Sequence, residues 1–181
     1  MDEKLPKRKN IRLQHYDYSN AGYYYITICT RNRKHLFGSV IDGKIGLSKY
    51  GEIAERNINS IPKHMNMVHV DKYVVMPNHV HILLVVNAKP DVVGPRYIVA
   101  ETCDILERTP CMASLQAKSK QTISKTIQQY KASVSRDSGV RGLWQARFND
   151  HVIRDEADYL RIWQYIDNNS AKWAKDEYFT D

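Results

Sequence analysis

A chain of 181 residues that is 43% apolar can bury one core of ordinary size, and it is short for several domains. Lys and Arg number 27 against 20 Asp and Glu, a net charge of +7 that favours a polyanionic partner such as nucleic acid. No stretch approaches the ~20 apolar residues of a membrane span, the start is basic rather than signal-like, and three scattered cysteines (Cys29, Cys103, Cys111) fit neither a disulfide framework nor a zinc cluster; a cytoplasmic protein with no membrane partner is expected.

Residues 1–20 form a polar arm carrying Lys4, Lys7, Arg8, Lys9 and Arg12. Residues 23–30 are rich in β-branched and aromatic side chains and predict the first strand, followed by the basic cluster Arg31, Arg33 and Lys34. Residues 35–47 suggest a small hairpin that turns at Asp42-Gly43. Ile53, Ala54, Ile58 and Ile61 recur at helical spacing over 49–61, and Pro62 is expected to stop that helix. Residues 67–76 and 79–86 predict two strands broken at Pro77-Asn78. The apolar run 82–86 implies a central strand covered on both faces.

Residues 87–118 show no period and form a long loop, a length usually reserved for function or mobility. A helix is expected over 119–136, with Ile123, Ile127, Tyr130 and Val134 on one stripe. A last strand over 143–153, an amphipathic helix over 155–168 and a tail over 174–181 complete the chain. The order strand, helix, strand, strand, helix, strand is a split βαβ pattern. It predicts a single α+β domain over 21–173, a ferredoxin-like sandwich whose antiparallel sheet carries helices on one face. An RNA-recognition module would share that order, so topology alone does not define function.

His79-Val80-His81 carries the most chemistry. On a strand, side chains at i and i+2 share a face, so the imidazoles stand side by side with Val80 turned away. Such a pair suits a divalent metal that withdraws charge from a phosphate. Imidazoles hold Mg²⁺ weakly and Mn²⁺ better, and a third ligand bearing oxygen is expected. Two histidines satisfied by hydrogen bonds inside a core are the plain alternative.

Met76-Pro77-Asn78-His79-Val80-His81 resembles the His-hydrophobe-His motif of the IS200-type tyrosine transposases, and more closely the REP-associated tyrosine transposases. Arg12-Leu13-Gln14-His15-Tyr16-Asp17-Tyr18, Tyr25-Ile26-Thr27-Ile28-Cys29-Thr30, Trp144-Gln145 and Phe148-Asn149-Asp150-His151-Val152-Ile153-Arg154 also match that group. The resemblance covers residues 10–86 and 119–173. It implies the ferredoxin-like fold, a metal (Mg or Mn) on His79 and His81, and single-stranded or hairpin DNA as partner. It also implies cutting and rejoining through a 5′-phosphotyrosine, by a monomer or a homodimer.

The resemblance places the nucleophile on the helix after the metal strand, where Tyr130 stands, with Lys131 and the metal as cations that favour a phenolate. Tyr130 also lies on the apolar stripe, as a packing residue would, and Tyr165 on the last helix is the obvious substitute. IS200-type enzymes carry a metal-binding glutamine one turn after the tyrosine. Val134 stands there in this chain and cannot ligate, which leaves Ser133, Gln129, Gln128 or a water. Gln145, Arg147, His151 and Arg154 are expected to line the DNA beside Lys131, and Lys7, Arg8, Lys9 and Arg12 to contact phosphates. Two other readings remain: a non-catalytic nucleic-acid-binding module on the same fold, and a replication initiator or relaxase, whose domains are usually larger and differently ordered.

Overall fold

Strand β1 (Gly22–Cys29) alternates large apolar and polar side chains, and that alternation divides the molecule into two faces. The computed structural model describes residues 16–18, 20–87 and 122–179; Lys7, Arg8, Lys9 and Arg12 lie outside the described residues, as does the long loop apart from Asn87. After β1 come the hairpin β2 (Gly38–Ile41) and β3 (Lys44–Leu47), then helix α1 (Lys49–Asn59) and a short α2 (Ile61–His64). Strands β4 (Val68–Met76) and β5 (His79–Val86) follow, then α3 (Thr122–Ser138), β6 (Asn149–Ile153) and α4 (Glu156–Asn168). A 3₁₀ segment, Ser170–Lys175, leads into the tail.

Local chemistry accounts for most boundaries. Asp42 and Gly43 both take positive φ (51° and 71°), the pairing a tight hairpin turn requires. The Ser48 side chain accepts from the Gly51 amide and caps α1. Pro62 does not simply stop a helix: its missing N–H is tolerated in the first turn of α2. Strand β6 is shorter than expected. Residues 143–148 are loop, held to the end of β1 and the residues after it by the Thr30–Trp144 bridge, in which the Gln145 amide donates to the Cys29 carbonyl and the Arg31 amide to the Leu143 carbonyl.

The four main strands lie in the order β4-β5-β1-β6, and every pairing is antiparallel. With β2 and β3 set aside as a separate two-stranded sheet, this is the split βαβ arrangement and the expected α+β class. Val80, Ile82, Leu84 and Val86 of β5 join Tyr24, Ile26 and Ile28 of β1 under α1 and α3 in the main core. Truncating a buried residue there, such as Leu84→Ala, would cost about 2–5 kcal/mol.

The helices do not all share that face. Ile162 and Ile166 of α4 pack on Leu83, among Tyr23, Tyr25 and Val74, on the side of the sheet opposite α1 and α3. The β5 register therefore aims His79, His81 and Leu83 toward α4 and the tail.

Candidate metal and tyrosine site

Four strand positions build the floor of the site. In the β1–β5 register Thr27 stands opposite His81 and Cys29 opposite His79, so all four share a face. The turn before His79 is tied down by Thr30, whose amide and hydroxyl both donate to the Asn78 carbonyl (2.8 and 3.0 Å). The Nε2 atoms of His79 and His81 lie 2.9 Å apart. Both histidines are fully buried, which holds the His79 imidazole down at about 4 and His81 well below its ordinary value. At His79 the Asp176 carboxylate opposes the burial effect and the Arg33 guanidinium adds to it.

The hydrogen bonds around the rings decide what the facing nitrogens carry. The Asn78 side-chain N–H₂ donates to the Tyr178 carbonyl at 2.8 Å. Its oxygen therefore faces His79 Nδ1, 2.8 Å away, and Nδ1 carries the proton of a neutral ring. The Nε2 lone pair then points at His81. On the other ring, His81 Nδ1 meets the Tyr25 and Thr27 hydroxyls at 2.7 and 2.9 Å. Hydroxyls donate or accept with equal ease, so His81 can keep its proton on Nε2, toward His79, or move it to Nδ1. In the second state two lone pairs converge on one point.

Asp176 completes the group. Its Oδ1 lies 4.0 Å from His79 Nε2, and one ligand atom from each of His79, His81 and Asp176 falls within 4.8 Å of the others. The Tyr178 amide donates to Oδ1 at 2.7 Å. Oδ2 accepts from the Asn169 side chain and the Tyr165 hydroxyl, each at 2.8 Å. Two imidazoles and a carboxylate, each oriented by an outer partner, are a donor set that fits a divalent cation.

Tyr165 is where the site meets solvent. Its ring lies 5.3 Å from that of His81, and the residue is 39% exposed. Burial, together with the hydrogen bond to Asp176 and the charge of that carboxylate, raises its phenol above the ordinary value. The ring lines an open cleft of about 480 Å³ together with Tyr25, His151, Arg161, Lys175 and Asp176.

The expected site residues divide. His79 and His81 come together as the strand spacing requires. Tyr130 does not join them: it is buried in the main core on the other face of the sheet, its ring 5.7 Å from that of Trp144 and its hydroxyl donating to the Ala54 carbonyl at 3.4 Å. Burial raises that phenol too, with no cation among the causes. Val134 is buried beside it, and Gln128, Gln129 and Ser133 lie on the same helix away from the histidines. Lys131 Nζ is engaged by the carbonyls of Gln145, Ala146 and Arg147 (2.6, 3.4 and 3.3 Å). Arg147 and Arg154 are exposed, and His151 donates to Asp158 across 2.6 Å at the cleft wall.

Asp176, Asn78 and the Tyr25–Thr27 hydroxyls were not expected at the site. Thr27, between Ile26 and Ile28, was the available signal: a hydroxyl on the strand face that Tyr25 and Cys29 share. For Asp176 the signal was an acidic pair, Asp176-Glu177, in an aromatic tail between Trp173 and Tyr178, which implies docking.

Fold and geometry together describe an α+β scaffold with a His-His-Asp group and an adjoining tyrosine. A Haemophilus influenzae protein described only as uncharacterized is 32% identical over 178 residues, covering 96% of this chain and 94% of its own length. The chain belongs to the same family as that protein. Among solved structures, a REP-associated tyrosine transposase bound to a REP hairpin superposes with a TM-score of 0.59 at 18% identity, over 92% of this chain and 76% of that one. The chain thus has the fold of the REP-associated tyrosine transposases. No protein-family model matches it.

Proposed function

We propose that this protein is a metal-dependent transferase of single-stranded DNA that cuts and rejoins beside hairpins, with Tyr165 as its nucleophile. The observation that carries this is the Tyr165 hydroxyl donating to Asp176 Oδ2 while the Oδ1 of the same carboxylate faces the histidine pair. A nucleophile, its proton acceptor and a metal donor set share one carboxylate at the mouth of a cleft.

His79, His81 and Asp176 would hold Mg²⁺ or Mn²⁺, and a cation bound there would draw charge from the non-bridging oxygens of the scissile phosphate. The remaining steps belong to the chain. Tyr165 Oη attacks phosphorus, and its proton passes to Asp176 Oδ2. The bond from phosphorus to the 3′-oxygen breaks, leaving a 5′-phosphotyrosine and a 3′-end that takes up a proton. Attack by a 3′-hydroxyl on the ester reverses these moves and rejoins the strand. Unpaired DNA suits a cleft with an aromatic wall, because its phosphates and base faces are both accessible. Arg147, Arg154, Gln145 and His151 would contact the strand, and the arm residues Lys7, Arg8, Lys9 and Arg12 would add phosphate contacts. The resemblance to an enzyme solved with a REP hairpin supports a hairpin substrate.

One observation favours the non-catalytic reading: the side chains of His79 and Asp176 are 0% and 1% exposed, so the tail must shift before a phosphate reaches them. Incubating the protein with a fluorescein-labelled hairpin bearing a single-stranded flank and Mn²⁺ separates the two. A DNA–protein band that survives denaturation, and disappears with EDTA, is the expected result. Metal-independent binding with no such band leaves a nucleic-acid-binding module.

A further inference from the structure

We infer that Arg33 is a phosphate-binding residue at the rim of this site, a role that rests on the DNA reading above. The cluster Arg31, Arg33 and Lys34 directly follows β1, the strand that ends opposite His79. Its backbone is unusual. Asn32 and Arg33 take successive positive φ values, 57° and 51°. Asparagine tolerates that region, but arginine gains nothing there that glycine would not give more cheaply. A strained side chain held in place calls for a reason beyond the turn.

The side chain points back to the site. The Arg33 guanidinium carbon lies 5.2 Å from the centre of the Tyr178 ring, and that ring is 4.8 Å from His79 and 5.7 Å from His81. One guanidinium nitrogen donates to the Glu177 carbonyl at 3.2 Å, next to Asp176. The positive charge reaches both His79 and Cys29. Arg33 thus stands within a ring's width of the His-His-Asp group, on an element separate from every residue of that group. A planar fork of donors beside a site built for a phosphodiester suits a phosphate oxygen. The ligand is a phosphate of single-stranded DNA, either the scissile one or its immediate neighbour.

The competing role is mechanical: Arg33 holds the tail that carries Asp176. Arg33→Gly separates the two, because glycine relaxes the backbone while removing the guanidinium. The probes are fluorescein-labelled oligothymidine and a hairpin with a thymidine flank, titrated across a salt series, and Mn²⁺ alone. Arg33→Gly should melt at or above the wild-type temperature and bind Mn²⁺ equally well. Its DNA affinity should fall about tenfold at low salt, with the salt slope reduced by about 0.7, the value for one phosphate contact on a single strand. Arg33→Lys should keep the slope. DNA affinity and slope equal to wild type would overturn the inference, as would a parallel loss of Mn²⁺ affinity and melting temperature. Wild-type protein that binds neither DNA probe would instead remove the DNA reading itself.

Discussion

The Tyr165 hydroxyl donates to Asp176 Oδ2 across 2.8 Å, whereas Tyr130 sits on the far side of the sheet with its hydroxyl on a backbone carbonyl. One chain thus offers two tyrosines in opposite settings. Tyr165 faces a cleft and a carboxylate; Tyr130 faces Trp144 and aliphatic side chains.

That contrast fixes the outcome of a paired substitution. Tyr165→Phe keeps the ring against His81 and removes the hydroxyl proposed as nucleophile. DNA binding and melting temperature should stay close to wild type, and the covalent DNA–protein band should disappear. Tyr130→Phe loses one long hydrogen bond and should cost at most about 1 kcal/mol, with the adduct still formed. An adduct retained in Tyr165→Phe and absent in Tyr130→Phe would reverse the assignment.

Acid stability tests the burial of the histidine pair. The folded chain holds His79 neutral down to about pH 4, while an unfolded histidine takes a proton near pH 6.5. Between those values the unfolded state binds more protons, so stability is fully present above pH 6.5 and declines as pH falls. The His79 shift alone is worth roughly 3 kcal/mol by that linkage, and His81 acts in the same direction. Urea midpoints at pH 7, 6 and 5 in EDTA should fall in order, and His79→Gln with His81→Gln should flatten the trend. A midpoint constant over that range would show that the pair is hydrated.

Much of this arrangement was legible from the chain. The alternation along β5 assigns His79 and His81 to one face and Val80, Ile82, Leu84 and Val86 to the other. The wholly apolar set belongs under the two crossover helices, which right-handed connections place on one side. Tyr130 is on one of those helices, so its separation from the histidines was implicit in the same pattern. The side taken by α4 was not legible, because a helix after the last strand has no crossover to constrain it. Asp176 lies in a segment too short for any period, and its place depends on contacts from Asn169 and Tyr178 that only the folded chain brings together.

Asn78 joins the two halves of the site, and its replacement tests that link. Its oxygen orients His79, and its N–H₂ group holds the Tyr178 carbonyl, two residues beyond Asp176. Asn78→Asp keeps an acceptor for His79 but sets a carboxylate against that carbonyl, which should loosen the tail. Outer-shell changes of this kind cost about 10–100-fold in metal affinity. If the loss acts through the tail, Asp176→Ala should already contain most of it, and Asn78→Asp should add little in that background. Mn²⁺ titration of wild type, the two single variants and the double variant gives the coupling directly. Losses that simply multiply would show that Asn78 acts on His79 alone and that the tail docks without it.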